Sequence, residues 1–137
     1  MSTGGMSHDF TPNTNPVVGV VGLGYVGLPT AIGFHDSGFT VWGCDTSASV
    51  IEALHAQKNP IGDAALDGQI PSIELDTWNI TNSIEELTSV CDVILVTVPT
   101  PITIDSKPDL SYVYSAGDKI LASVDKSRHT TVVLEST

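Results

Sequence analysis

Residues 17–31 read Val17-Val-Gly-Val-Val-Gly22-Leu-Gly24-Tyr-Val-Gly27-Leu-Pro-Thr-Ala31. The first five are β-branched or small and apolar on both faces, the pattern of a central parallel strand covered by helices. The period then changes. Val26, Thr30, Ala31, Ile32 and Phe34 fall at helical spacing until Ser37-Gly38 ends the run. Between strand and helix the glycines form G-x-G-x-x-G. Gly22 permits the tight turn, Gly24 lets a pyrophosphate approach the backbone, and Gly27 lets the helix pack closely on the strand. Amides at the helix start meet an anion with the positive end of the helix dipole. A glycine-rich turn that binds nothing satisfies the same letters, so the fingerprint needs its context.

That context follows at once. A second strand, Phe39 to Cys44, ends in Asp45, which lies 23 positions after Gly22. An acidic side chain there accepts hydrogen bonds from the adenosine ribose hydroxyls and repels a 2′-phosphate, which favours NAD over NADP. The competing role for Asp45 is a simple helix cap. Thr46 or Ser47 can cap a helix with apolar positions Val50, Ile51, Ala53 and Leu54. From Lys58 to Thr77, Pro60, Gly62, Gly68 and Pro71 leave an irregular segment with one short helical turn. A weak strand is expected over Trp78 to Thr81, and a short helix capped by Ser83 after it. Val93 to Val98 is the second strong buried strand, ended by Pro99 and Pro101. Pro108-Asp109 opens a helix with Val113, Ala116, Ile120, Leu121 and Val124 on one face, and Thr131 to Leu134 is the last strand. Strands alternating with helices predict βαβ units and hence a single α/β domain, a doubly wound parallel sheet of Rossmann type. Residues 1–15 are expected to be a flexible N-terminal tail and residues 16–137 the NAD-binding domain.

Composition narrows the function classes. The chain has 137 residues, 16 acidic against 5 basic, for a formal charge of −11. Nucleic acid and anionic membrane surfaces are therefore poor partners. The stretch from Phe10 to Phe34 carries no charge. Its five glycines and Pro29 argue against a lipid-facing helix, and no lysine or arginine precedes Val17 to form a basic leader. No membrane association and a cytoplasmic location are expected. Cys44 and Cys91 lie 47 positions apart without C-x-x-C spacing and read as buried reduced thiols. His8, His35, His55 and His129 are scattered, and Glu52 with His55 reads as a solvated helix face, so no metal is expected.

Four runs in order, VGLGYVGLPTA (Val21 to Ala31), TVPTPI (Thr97 to Ile102), KPDLSYV (Lys107 to Val113) and VVLEST (Val132 to Thr137), resemble the N-terminal domain of the UDP-glucose/GDP-mannose dehydrogenase family. The resemblance spans nearly all of Val17 to Thr137 and is strongest to the branch that oxidises UDP-N-acetylhexosamines. It implies an NAD-dependent, two-step oxidation of a nucleotide-sugar 6-hydroxyl through an aldehyde to a carboxylate. It also implies cofactor contacts from Gly22, Gly24, Tyr25, Val26 and Gly27 to the pyrophosphate, from Asp45 to the ribose, and from Thr100, Ser136 and Thr137 on the nicotinamide side. A basic residue is implied five positions after the ribose carboxylate, where this sequence has Val50. The family's catalytic cysteine, lysine and asparagine belong to sugar-binding domains beyond Thr137, so this chain alone is expected to bind NAD but turn over no UDP-sugar. The full-length protein is expected to be a homodimer, with the association of this portion left open. Two other readings share the fingerprint: another NAD-dependent dehydrogenase such as a hydroxy-acid type, and a stand-alone NAD(H)-sensing module.

Overall fold

The computed structural model describes residues 15–98, 110–124 and 129–135. The tail expected at residues 1–15 falls almost wholly outside them. Among the described residues five strands and four helices alternate: β1 (Val17–Val21), α1 (Gly27–Asp36), β2 (Thr40–Cys44), α2 (Ala48–His55), β3 (Trp78–Thr81), α3 (Ile84–Val90), β4 (Val93–Val96), α4 (Ser111–Ser123) and β5 (Thr131–Leu134). The single helical turn of the connector is a 3-10 turn over Ala64–Leu66. All strand pairs are parallel and the order is β3-β2-β1-β4-β5, as the doubly wound expectation requires.

Strand β1 shows why this order forms. Its side chains alternate between two cores, one on each face of the sheet. Val18 and Val20 join Leu28, Ala31 and Ile32 of α1, Leu54 of α2 and Trp78 of β3. Val17 and Val21 face the other way, with Ile84 and Leu87 of α3 and Ala116 and Ile120 of α4. Gly19 lies under α3: a Cβ there would sit 2.7 Å from Leu87 Cδ2 and 2.8 Å from Cys91 Sγ, so the glycine sets how closely α3 approaches. A strand covered on both faces cannot display a polar side chain on either, which is the origin of its continuous apolar run.

Local chemistry sets the helix starts. Ser47 Oγ accepts from the Val50 amide at 3.4 Å and Ser83 Oγ from the Glu86 amide at 3.1 Å. Glu86 also accepts from Thr81 Oγ1 at 2.6 Å, and with Glu85 it puts negative charge in the first turn of α3, where the helix dipole favours it. His55 was expected on a solvated face. Its Nε2 lies 3.1 Å from the Ile80 carbonyl oxygen, which can only accept, so the ring donates and ties α2 to β3.

Two expectations need correction. Strand β4 stops at Val96, two residues short of Val98, although the Thr97 amide still donates to the Val21 carbonyl at 2.8 Å. Leu121 does not belong to the buried face of α4 and is 73% exposed. The inward line of that helix runs through Ala116 and Ile120, and one residue further along an α-helix turns about 100° away. Replacing Leu87, which is fully buried, with alanine should lower stability by about 2–5 kcal/mol in urea unfolding. Leu121→Ala should stay within about 0.5 kcal/mol of the parent.

Candidate functional site

The sheet order reverses between β1 and β4, because the chain runs outward to β2 and β3 and then crosses back. Loops leaving the carboxyl ends of the two strands diverge there and open a cleft, the usual ligand position in such sheets. Here the cleft has a volume of about 530 Å³. That lies within the range of roughly 300–1,000 Å³ typical of small-molecule sites.

The loop after β1 forms one wall and is held from three sides. Gly22 has φ +97°, a left-handed conformation that a side chain would strain, and its amide donates to the Cys44 carbonyl at 2.8 Å. Its carbonyl oxygen accepts from Thr97 Oγ1 at 2.7 Å. A Cβ on Gly27 would overlap that carbonyl and the Thr97 hydroxyl, so only glycine lets α1 start this close to β1. Leu23 buries its side chain completely in the core while its amide donates to Asp45 Oδ2 at 2.8 Å. Gly24 is different, since a Cβ there would have nothing within 4 Å. Its freedom is toward the cleft. Val26 occupies the cap position of α1 without a side-chain hydrogen bond and lines the cleft, so among the described residues no side chain caps the positive end of that helix.

Asp45 stands at the end of β2. Beside Leu23, it accepts from the Ser47 amide through Oδ1 at 2.9 Å. A carboxylate has about four acceptor positions, so two bonded amides fix its orientation and leave capacity for donors from the cleft. Ser47, not Asp45, caps α2, and Asp45 braces the turn before it.

Of the residues expected at the site, Gly22, Gly24, Tyr25, Val26 and Asp45 all line the cleft, and Gly27 sits directly behind the loop. Tyr25 is 73% exposed, and its hydroxyl lies 3.4 Å from where a Cβ on Gly62 would be, so the connector before β3 reaches the glycine loop. Thr100, Ser136 and Thr137 lie outside the described residues. Val50 packs against the core instead of reaching the cleft. Four polar lining residues are not legible as site residues in the sequence: Thr46, which reads as a helix-cap candidate, Thr97, which reads as strand, and Ser115 and Lys119 on α4. A hydroxyl residue level with the glycine turn on the neighbouring strand was the available signal for Thr97.

Cys44 lines the same cleft, yet its chemistry is muted. Burial first, then the carboxylates of Asp45 and Glu85, push its thiol up to about 12. A nucleophilic cysteine needs the opposite environment. Cys44 and Cys91 are both buried and neither is in a disulfide, as expected. Among the described residues no cluster of three metal-ligating side chains occurs, and no helix is long and apolar enough to cross a membrane.

Residues 17–137 match the sequence profile of the UDP-glucose/GDP-mannose dehydrogenase family, NAD binding domain. The UDP-N-acetyl-D-mannosamine dehydrogenase of Pyrococcus horikoshii is 35% identical over 121 residues, covering 88% of this chain and 28% of that protein. A UDP-glucose dehydrogenase structure from Pyrobaculum islandicum superposes with a TM-score of 0.81 at 30% identity, covering 93% of this chain and 31% of that one. A ternary complex of GDP-mannose dehydrogenase from Pseudomonas aeruginosa gives 0.82 at 28% identity, covering 88% and 28%. The chain therefore spans about three tenths of the length of these relatives.

The ionisation of Cys44 has a sign that can be checked. A thiol whose folded pKa lies above its ordinary value of 9.0 contributes stability below about pH 9 that is lost as pH rises toward 12. Thermal unfolding should therefore show stability falling across that window less steeply in Cys44→Ala than in the parent. At pH 8 the native chain should react slowly with a thiol reagent and rapidly once unfolded. For the loop, Thr97→Val should cost about 1–3 kcal/mol in urea unfolding by leaving the Gly22 carbonyl without its hydroxyl donor.

Proposed function

Because the chain belongs to the UDP-glucose/GDP-mannose dehydrogenase family and carries its NAD-binding domain, we propose that it serves as the cofactor-holding portion of a nucleotide-sugar 6-dehydrogenase acting on a UDP-N-acetylhexosamine. The observation that carries the reading is the open face of Gly24 beside the uncapped start of α1, with Asp45 fixed at the adjoining strand end. The N-acetylhexosamine assignment is supported by the four motifs and by the Pyrococcus relative, whose name states that sugar.

In this reading residues 16–137 form the domain. The amides of Gly24, Tyr25, Val26 and Gly27 donate to the pyrophosphate, with Gly22 shaping the turn, and Asp45 accepts from the ribose hydroxyls through its remaining lone pairs. Thr100, Ser136 and Thr137 are assigned to the nicotinamide side by the motifs alone. The bound dinucleotide supplies a hydride acceptor, and this chain's own task is to orient it. The apolar lining from Val21, Val98 and Ala116 excludes water from the flat base and strengthens the few polar contacts around it. Sugar binding and the covalent steps of the second oxidation are assigned to parts of the full-length protein other than this domain.

Calorimetric titration tests the division of labour. NAD should bind this chain, while UDP-sugars should neither bind nor be oxidised by it; tight UDP-sugar binding would overturn the split. Asp45→Asn should weaken NAD by about tenfold, the scale of a charge-assisted hydrogen bond, and NADP by less. An unchanged ratio between the two would remove Asp45 from cofactor selection.

A further inference from the structure

The cleft holds one cationic side chain among the described residues, Lys119 on α4. It lies one turn after Ser115 and three residues after Ala116, both of which also line the cleft. Ala116 and Ile120 on either side of it share a buried cluster with Cys44 of β2 and Ile84 of α3, and α4 packs mainly against α3. The lysine charge is felt at Cys44, where it pulls against the upward shift produced by burial and by Asp45, Glu85 and Glu86. Those three carboxylates and Lys119 are thus the charged groups around this end of the cleft. No carboxylate among the described residues pairs with Lys119. Besides Lys119 and Cys44, the polar side chains lining the cleft are Tyr25, Asp45, Thr46, Thr97 and Ser115, and the rest of the lining is apolar or glycine.

The polar requirements of a bound adenosine are not met by Asp45 alone. A carboxylate accepts and suits the ribose hydroxyls, but the ring nitrogens of adenine are themselves acceptors and need a donor. We propose that Lys119 is that donor: a cofactor-contacting residue that reaches across from α4 and donates to the adenine of the dinucleotide, opposite the Asp45 that takes the ribose. The proposal rests on the NAD reading of the cleft. It makes α4 a third element of the adenosine site beside the glycine loop and the end of β2. Lysine suits the position because its long apolar stem can lie along the Ala116 face while the ammonium turns inward.

The test compares Lys119→Met and Lys119→Arg with the parent chain by titration with NAD and with AMP, at about 0.1 M and about 0.5 M salt. Lys119 is exposed, so both variants should keep the parent's far-ultraviolet circular dichroism and melting temperature. Lys119→Met should bind NAD and AMP about tenfold more weakly at both salt concentrations, and Lys119→Arg should recover most of the loss. Three results would overturn the contact: affinity unchanged in Lys119→Met, a loss that disappears at the higher salt, or a loss for NAD that AMP does not share. The second would mean only long-range attraction to phosphate, and the third a contact away from the adenosine. A parent chain that binds neither ligand would instead overturn the cofactor reading on which the contact stands.

Discussion

The whole arrangement depends on how closely α1 can start beside the end of β1. Thr97, one residue past the end of β4, donates its hydroxyl to the Gly22 carbonyl at 2.7 Å, and a side chain at Gly27 would occupy the same space as that carbonyl. Two segments distant in sequence, the glycine loop and Thr97, meet around one oxygen atom. With α1 drawn in, Leu23 reaches the core, its amide reaches Asp45, and the open face of Gly24 is turned outward. A site preformed in this way loses little conformational entropy when a ligand arrives. The close approach also explains why the loop needs two kinds of glycine: Gly22 for its dihedral angle and Gly27 for the space it leaves empty.

The sheet was largely legible in the sequence because a buried parallel strand has few disguises. The apolar runs at Val17 and Val93 have no polar face, and the run Trp78–Thr81, as long as β4, is weak because it lies at an edge and carries Asn79 and Thr81. Asp45 was legible for a similar reason, since it sits one residue past a strand and at a fixed reach from the glycine turn. Thr97 was not, because a β-branched residue after Val-Ile-Leu-Val continues the strand pattern, and only the register of β4 against β1 reveals its hydroxyl opposite Gly22. Lys119 and Leu121 show the same difficulty on α4. A helix with an apolar residue at nearly every inward angle does not say where its face ends, and a lysine beside that face reads as solvated until the cleft is seen.

Charge is handled locally. A net charge of −11 would repel a dinucleotide if it acted as a whole. Beyond roughly 8–10 Å it is screened at ordinary ionic strength, whereas backbone amides act at contact distance and carry no compensating ion. The acidic surface and the anion-facing loop therefore coexist on one small domain. Glu85 and Glu86 stand in the first turn of α3, at the end of the helix where its dipole favours negative charge.

Asp45 illustrates how structure constrains later change. The carboxylate proposed to choose between cofactors also holds the Leu23 amide and the Ser47 amide. Any substitution that replaced the carboxylate to admit a 2′-phosphate would release at least one of them, and the loop would lose a brace at the same moment that the pocket gained a new ligand. Cofactor preference is in this sense entrenched. A lineage or a designer wishing to alter it would first have to provide a second acceptor for the Leu23 amide, so that the route to a different specificity passes through a change that by itself alters no specificity at all.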